Sequence, residues 1–351
     1  MTQTISPIEP GQEWTVESFT PKDAPGVTQL FLGIYGAGYP VRIYVEPDLL
    51  IEENRSGRVI SSVAKTAKGD IVGHTALFNS GPCKNVFETG AGLVHADYRG
   101  GHGIFSQMTV HGLTKGRERP DVEQVFGEPV CNHPFSQKLG HNQGFITRAI
   151  EVNLMPAAAY AKEAGATGRV TTLMNFKTLK PAPCTVYIPK VYETLFPVFY
   201  EDLDDERQFA LSAQPLSSQR STGLDTQVFN FAQVARVAVK DLGRDFHGVM
   251  QAEEERLLQL GIRVIQAWLS SGDPCVGEAV DCLRSSGYFF GGVLPRWFDS
   301  DGILMEKILD IPVWEEINLY LERAQTLMAL IRKDWEEVLD LNPKSQWRTG
   351  Q

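Results

Sequence analysis

Between Val86 and Met108 the chain runs an apolar strand, ending in GAGLV, through an acidic-aromatic turn into Arg99, Gly100, Gly101, His102 and Gly103. That pentapeptide then opens an amphipathic segment, IFSQM. A strand handed to a helix through an arginine and three glycines is a site for phosphate. The first helical N–H groups have no partner within the helix, and the helix dipole favours negative charge there. Glycines let an anion approach the backbone, and Arg99 adds a charge-assisted contact. A tight turn whose glycines serve only positive φ is the plainer alternative. Neither common nucleotide fingerprint fits: no Gly-Lys-Ser/Thr closes the loop, and GxGxxG is out of register.

The stretch 94–105, VHADYRGGHGIF, resembles the acyl-CoA loop of the GNAT superfamily of N-acetyltransferases, written V-x-P-x-x-R-G-x-G-I/L-G/F. Ala96 stands where that pattern has proline, and one extra residue separates Arg99 from Gly103. The resemblance covers about residues 14–180. It implies acetyl-CoA as co-substrate and a phosphate cradle of Arg99, Gly100, Gly101, His102, Gly103 and Ile104. Backbone groups of Leu93, Val94 and His95 would then face the thioester.

The order of elements agrees with that resemblance. Residues 25–35 have helical spacing; 58–66 and 70–78 are strand candidates joined by a tight hairpin; 85–95 is a third strand. A helix over 103–116, a strand over 122–130, a short helix after Asn132 and strands over 146–154 and 170–179 follow. Beyond a helix near 192–202, the Ser- and Gln-rich stretch 206–226 reads as a linker. A long strand over 227–239, a helix over 246–260, a strand over 263–269 and a helix over 273–286 come next. GEAVDCLRSSGYFFGG there repeats the HPFSQKLGHNQGF pattern of the first half, without an Arg/Gly loop. The expected fold class is therefore α/β: a GNAT-like mixed twisted sheet flanked by helices, a second degenerate GNAT-like α/β domain, and a C-terminal helix. The expected parts are a flexible lead-in 1–13, an acyl-CoA domain 14–204, a linker 205–226, the second domain 227–311 and a helical segment 312–345. Ile317, Leu321, Ala324, Met328, Ile331, Trp335 and Val338 form a heptad seam, either a dimer helix or a cover for the chain's own domain.

Composition narrows the partners. Forty-three acidic residues against 33 basic ones disfavour nucleic acid and anionic membrane. No apolar run reaches the ~18 residues of a bilayer span. Five dispersed cysteines without a CxxC pair suit a reducing cytoplasm. Histidines 95, 102, 111, 133 and 141 cluster in one half, but none has metal-ligand spacing, so no metal is expected. Cys131, after a strand and before a helix, has no partner in sequence for a nucleophilic dyad.

Acyl transfer from a thioester to an amine needs a base for the ammonium, a donor for the oxyanion and a proton for the leaving thiolate. Glu88 and Glu128 are the base candidates. The tyrosine that the resemblance implies four residues before Gly144-Phe145 is absent, Gly140 standing there, which leaves His133 and Ser136 as polar groups. The expected activity is N-acetyltransfer to a small amine or amino-acid-like acceptor. A non-catalytic acyl-CoA sensor or scaffold is the alternative, and transfer from an acyl carrier protein a third.

Overall fold

A computed structural model describes residues 8–36, 39, 41–101, 103–157, 168–203 and 205–342. It is a mixed α/β structure that divides into two compact units, Met1–Phe126 and Gly127–Gln351.

The first unit runs β1 (Trp14–Ser18), α1 (Ala24–Tyr35), α2 (Pro47–Arg55), β2 (Val59–Thr66), β3 (Ile71–Phe78), β4 (Val86–Val94), α3 (Ile104–Glu118) and β5 (Gln124–Gly127), whose last residue opens the second unit. Neighbours β1 to β4 pair antiparallel in chain order, and β5 joins β4 in parallel. Both faces of β2 and β3 are buried; β3, IVGHTALF, accordingly lacks a polar alternation, while β2 buries Ser61, Ser62 and Thr66 beside its apolar residues. Val27, Leu30 and Phe31 of α1 cover one face with Val63 and Ile71, while Ile104 and Met108 of α3 meet Ala64 and Val72 on the other. The expected hairpin forms as spaced: Thr66 N–H donates to Asp70 O at 2.9 Å. The end of the lead-in is held, since Tyr98 Oη donates to Glu9 O at 2.7 Å and Gln12 N–H donates to Tyr98 Oη at 3.2 Å. Residues 1–7 lie outside the described residues.

The second unit contains α4 (Phe135–Asn142), β6 (Ile146–Pro156), β7 (Arg169–Thr178), β8 (Cys184–Ile188), α5 (Phe196–Tyr200), β9 (Arg207–Leu211), β10 (Gly223–Phe229), β11 (Val234–Asp241), α6 (Phe246–Gln259), β12 (Val264–Ser270), α7 (Val276–Ser285), β13 (Phe289–Leu294), β14 (Gly302–Ile308) and α8 (Glu322–Leu341). Its main sheet has the order β7-β6-β13-β14-β12-β11-β10, parallel only between β11 and β12. Strands β8 and β9 form a separate parallel pair.

Three expectations change here. The strands 146–154 and 170–179 belong to this unit, because β6 lies beside β13; the division falls after Phe126 rather than near residue 204. The Ser-rich stretch 205–226 is stitched into the unit. It supplies β9, buries Leu216, and holds the head of α7 through Gly277 N–H to Ser212 Oγ at 2.8 Å. The single strand expected over 227–239 is a hairpin that turns at Gln233, whose φ is 54°.

The C-terminal helix starts at Glu322, so Ile317 and Leu321 precede it. Ala324, Leu327, Met328, Ile331 and Val338 are buried in the unit's own core. The apolar stripe thus serves its own domain, and residues 343–351 lie outside the described residues. Asp334 locks that contact. Its buried carboxylate pairs with Arg284 and accepts from Tyr192 Oη at 3.0 Å and from Phe290 N–H at 2.7 Å. Removing it strands a buried guanidinium, so Asp334→Ala should cost about 3–5 kcal/mol in urea unfolding. A loss under about 1 kcal/mol would show that the triad is not holding α8.

Candidate functional site

The pairing of β4 sets the geometry. Its parallel ladder with β5 spans only Val86↔Gln124, Phe87↔Val125 and Glu88↔Phe126. Past Glu88 the antiparallel ladder with β3 slips by one residue, from Ala76↔Gly90 to His74↔Leu93. Ala91 and Gly92 together oppose Thr75, which makes a β-bulge, and Ala91 has φ 50°. A non-glycine residue there is strained by on the order of 1–3 kcal/mol. Two side chains of β3 grip the bulge: Thr75 Oγ1 donates to Gly90 O at 3.1 Å, and His74 Nδ1 lies 2.9 Å from Ala91 O. A Cβ on Gly92 would lie 2.0 Å from the Phe105 ring of α3, so a side chain there requires that ring to move.

His74 is fully buried. A carbonyl oxygen only accepts, so Nδ1 carries the proton. Nε2 then accepts from Ser61 Oγ at 3.0 Å, and Ser61 is bonded to Asn54 through Nδ2 at 3.2 Å and Oδ1 at 2.9 Å. Burial pushes the imidazole down to about 4, against the ordinary 6.5, with the Ala91 bond opposing. It is neutral at pH 7.

Beyond the bulge, the N–H of His95 donates to Val72 O at 2.8 Å and its carbonyl accepts from Tyr98 N–H at 2.9 Å. The backbone of His95 is therefore spent within the fold, which removes it from the expected thioester-facing trio. Its imidazole caps the next turn, accepting from Asp97 N–H at 3.4 Å. Opposed pairs alternate between bonded and non-bonded, so Val94, opposite Gly73, turns its N–H away from β3. Leu93 is buried beside Val63 and Ile71.

The loop then reaches α3. Gly100, Gly101 and Gly103 have φ of 92°, 101° and 70°, and a Cβ on Gly100 or Gly101 would meet nothing within 4 Å. The first bond of the helix runs from Gln107 N–H to Gly103 O at 2.9 Å, so the Ile104 and Phe105 amides have no acceptor within it. Arg99 is exposed, with Nε donating to Val94 O at 2.9 Å. Loop, dipole and guanidinium together form a cradle suited to an anion. His102 lies outside the described residues.

A cavity of about 720 Å³ opens on the first unit, lined among others by Tyr39, Tyr44, Phe78, Phe87, Glu88 and Ala91. Glu88 Oε2 accepts from Ser80 Oγ at 2.7 Å. Burial, with the charge of Glu88 contributing, raises Tyr39 to about 12 and Tyr44 further still, so both phenols stay protonated. The other carboxylates at the rim are committed: Glu53 pairs with Arg58 at 2.6 Å, and Asp121 with Arg119. A smaller cavity, of about 380 Å³, is bordered by Pro25, Leu30, Asp70 and His95.

Three other expected residues fall in the second unit. Glu128 Oε1 accepts from Arg236 Nη2 at 2.9 Å, and the same guanidinium binds Glu151 Oε1 at 3.0 Å. Glu128 is thus an ion-pair partner there. His133 packs on Phe135 with ring centroids 5.4 Å apart, and Ser136 Oγ is buried without a hydrogen-bond partner among the described residues. Burial raises the Cys131 thiol far above its ordinary range, so it is no ready nucleophile. Among the described residues no His, Cys, Asp and Glu side chains group to hold a metal ion, and no helix is long and apolar enough to cross a membrane.

The second unit repeats part of this topology: β10 and β11 are antiparallel, α6 follows, and β12 returns parallel to β11. There the parallel ladder holds from Val234 to Ala238. The β11–α6 loop is also filled by its own chain. A Cβ on Gly243 would lie 2.4 Å from Arg220 O, and Asp245 Oδ1 accepts from Thr222 N–H at 2.9 Å.

His74 and the bulge escaped the sequence reading; a lone histidine within the apolar run IVGHTALF was the available signal. Its linkage to stability has a definite sign. The unfolded chain takes up the His74 proton below pH 6.5, whereas the folded one resists until about pH 4. The neutral-histidine contribution is therefore complete above pH 6.5 and is lost as pH falls toward 4. Between pH 7 and 4.5 the wild type should lose about 2–3 kcal/mol more than His74→Phe in urea unfolding. Identical pH dependence in the two proteins would mean that His74 titrates normally.

No family model and no curated relative matches the chain. Solved structures do resemble part of it. Ribosomal-protein-S5-alanine acetyltransferase from Vibrio fischeri is 12% identical, over 47% of this chain and 92% of its own, with a TM-score of 0.38. Ribosomal-protein-alanine N-acetyltransferase from Brucella melitensis is 20% identical over 47% and 99%, at 0.37. The structure of yncA from Salmonella typhimurium, with its cofactor acetyl-CoA, is 15% identical over 48% and 96%, at 0.38. About half of the chain is thus similar to solved acetyltransferase structures.

Proposed function

We propose that this chain is an acyl-CoA-dependent N-acyltransferase of the GNAT kind, transferring acetyl from acetyl-CoA to a primary amine in a ternary complex. One observation carries the reading: the bulge of β4 sits where β4 parts from β5, and the Arg/Gly loop at the head of α3 follows directly. An extended pantetheine chain can pair with the open edge of β4 as an added strand does, with its pyrophosphate at the loop. The amine nitrogen attacks the thioester carbon, the tetrahedral oxyanion collapses, and the C–S bond breaks to release CoA thiolate. Glu88 accepts the proton of the attacking amine, the thiolate takes up a proton from solvent to leave as the thiol, and Glu88 returns its proton to solvent. The acceptor is a small amine seated in the Tyr39–Glu88 cavity, and the reaction belongs to the cytoplasm. The first half binds CoA; the second, its loop filled, is a degenerate GNAT-like half that does not.

Glu128 is not proposed as a base, because Arg236 holds it. The absence of a tyrosine at Gly140 favours a second reading, an acyl-CoA-binding sensor without turnover. Turnover separates the two. Arg99→Ala should weaken CoA binding by about 1.5–3 kcal/mol in calorimetry, and Gly103→Val by more, since a β-branched residue at φ 70° distorts the loop. Unchanged affinity in both variants removes the cradle from the account. Glu88→Gln should lower kcat by ~10²–10⁴-fold with CoA affinity nearly intact. A variant with the wild-type rate would place the base elsewhere.

A further inference from the structure

We infer that His74 is a positioning residue for the transfer step, aiming the Gly92 N–H at the oxyanion by anchoring the Ala91 carbonyl. The inference rests on the acyl-transfer reading above and identifies its oxyanion donor. The peptide between Ala91 and Gly92 is a rigid trans plane, so its C=O and N–H point in opposite directions. The Nδ1–H of His74 holds Ala91 O at 2.9 Å. The Gly92 N–H is thereby turned away from His74. Ala91 takes φ 50° against its own preference, and a lone hydrogen bond from a mobile group would not keep it there.

His74 is not mobile. Ser61 holds Nε2 at 3.0 Å, and Asn54 holds Ser61 from the far side. The ring edge packs against Phe31 and Tyr44, with centroids 5.5 and 5.4 Å away. Thr75 adds a second anchor one peptide earlier, at Gly90 O. Two side chains of β3 thus anchor consecutive carbonyls in one short stretch of β4, and Ser61 and Asn54 brace one of the two from behind. The stretch is also where β4 leaves β5, so it borders the space left for a thioester.

The test compares His74→Phe, which removes both ring bonds, with His74→Asn, whose Nδ2–H stands near the position of Nδ1–H. Steady-state kinetics with acetyl-CoA and an accepted amine are read beside acetyl-CoA affinity by calorimetry. His74→Phe should lower kcat about 10–100-fold, a misaimed oxyanion donor being the cause, with acetyl-CoA Kd within about threefold. His74→Asn should return kcat to within about threefold of wild type. Nitrogen NMR of the wild-type imidazole should show a neutral ring protonated at Nδ1 at pH 7, a readout independent of whether His74→Phe folds. A ring protonated at Nε2, or a His74→Phe enzyme with normal kcat, overturns the role. So does a loss of kcat and acetyl-CoA affinity in parallel that Asn fails to restore. A wild type that binds no acetyl-CoA overturns the transfer reading, and this role with it; turnover indifferent to His74→Phe overturns this role alone.

Discussion

The hydrogen bond from His74 to Ala91 O ties the first unit together at its site. A strand paired on both sides has no backbone group to offer a ligand, because every N–H and C=O is used in a ladder. Here β4 gives up its parallel neighbour after Glu88 and, within a few residues, takes a bulge that its sequence does not favour. Both departures are costly in isolation. They persist because β3 is packed on both faces and can bring a neutral imidazole and a threonine hydroxyl to the bulged carbonyls. Rigid packing of β3 thus becomes a fixed edge on β4, and the loop leading to α3 starts from that edge.

The second unit shows what the same topology does without those devices. Strand β11 stays paired with β12 from Val234 to Ala238, and residues 217–222 fill the loop ahead of α6. The loop itself, DLGRD over 241–245, has a single glycine, and its groups bond inward: Gly243 N–H donates to Thr222 Oγ1 at 3.1 Å and Asp245 accepts from Thr222 N–H. Polar investment in that unit goes into structure: Arg236 bridges Glu128 and Glu151, while Asp334 and Arg284 fasten α8.

The strand-loop-helix passage from β4 to α3 was legible in the sequence, because apolar alternation, glycines and helical spacing are local signals. The chemistry around it was less so. Glu128 looked like a second base because its partner, Arg236, lies 108 residues away. The hairpin at Gln233 was hidden within one apolar run, since glutamine is not a residue that announces a left-handed turn. The unit boundary follows from β6 lying beside β13, a non-local pairing that composition cannot foretell. His74 acquires meaning only from Ala91, 17 residues later and on the next strand.

If this asymmetry between the halves is right, the chain has one place for an acyl-CoA thioester. Calorimetric titration of the intact wild-type protein with acetyl-CoA tests that most directly. The account predicts saturable binding with a stoichiometry of one per chain. Two sites per chain would mean that the filled loop of the second unit opens, and no binding at all would contradict the reading of β4 and its loop as a CoA cleft.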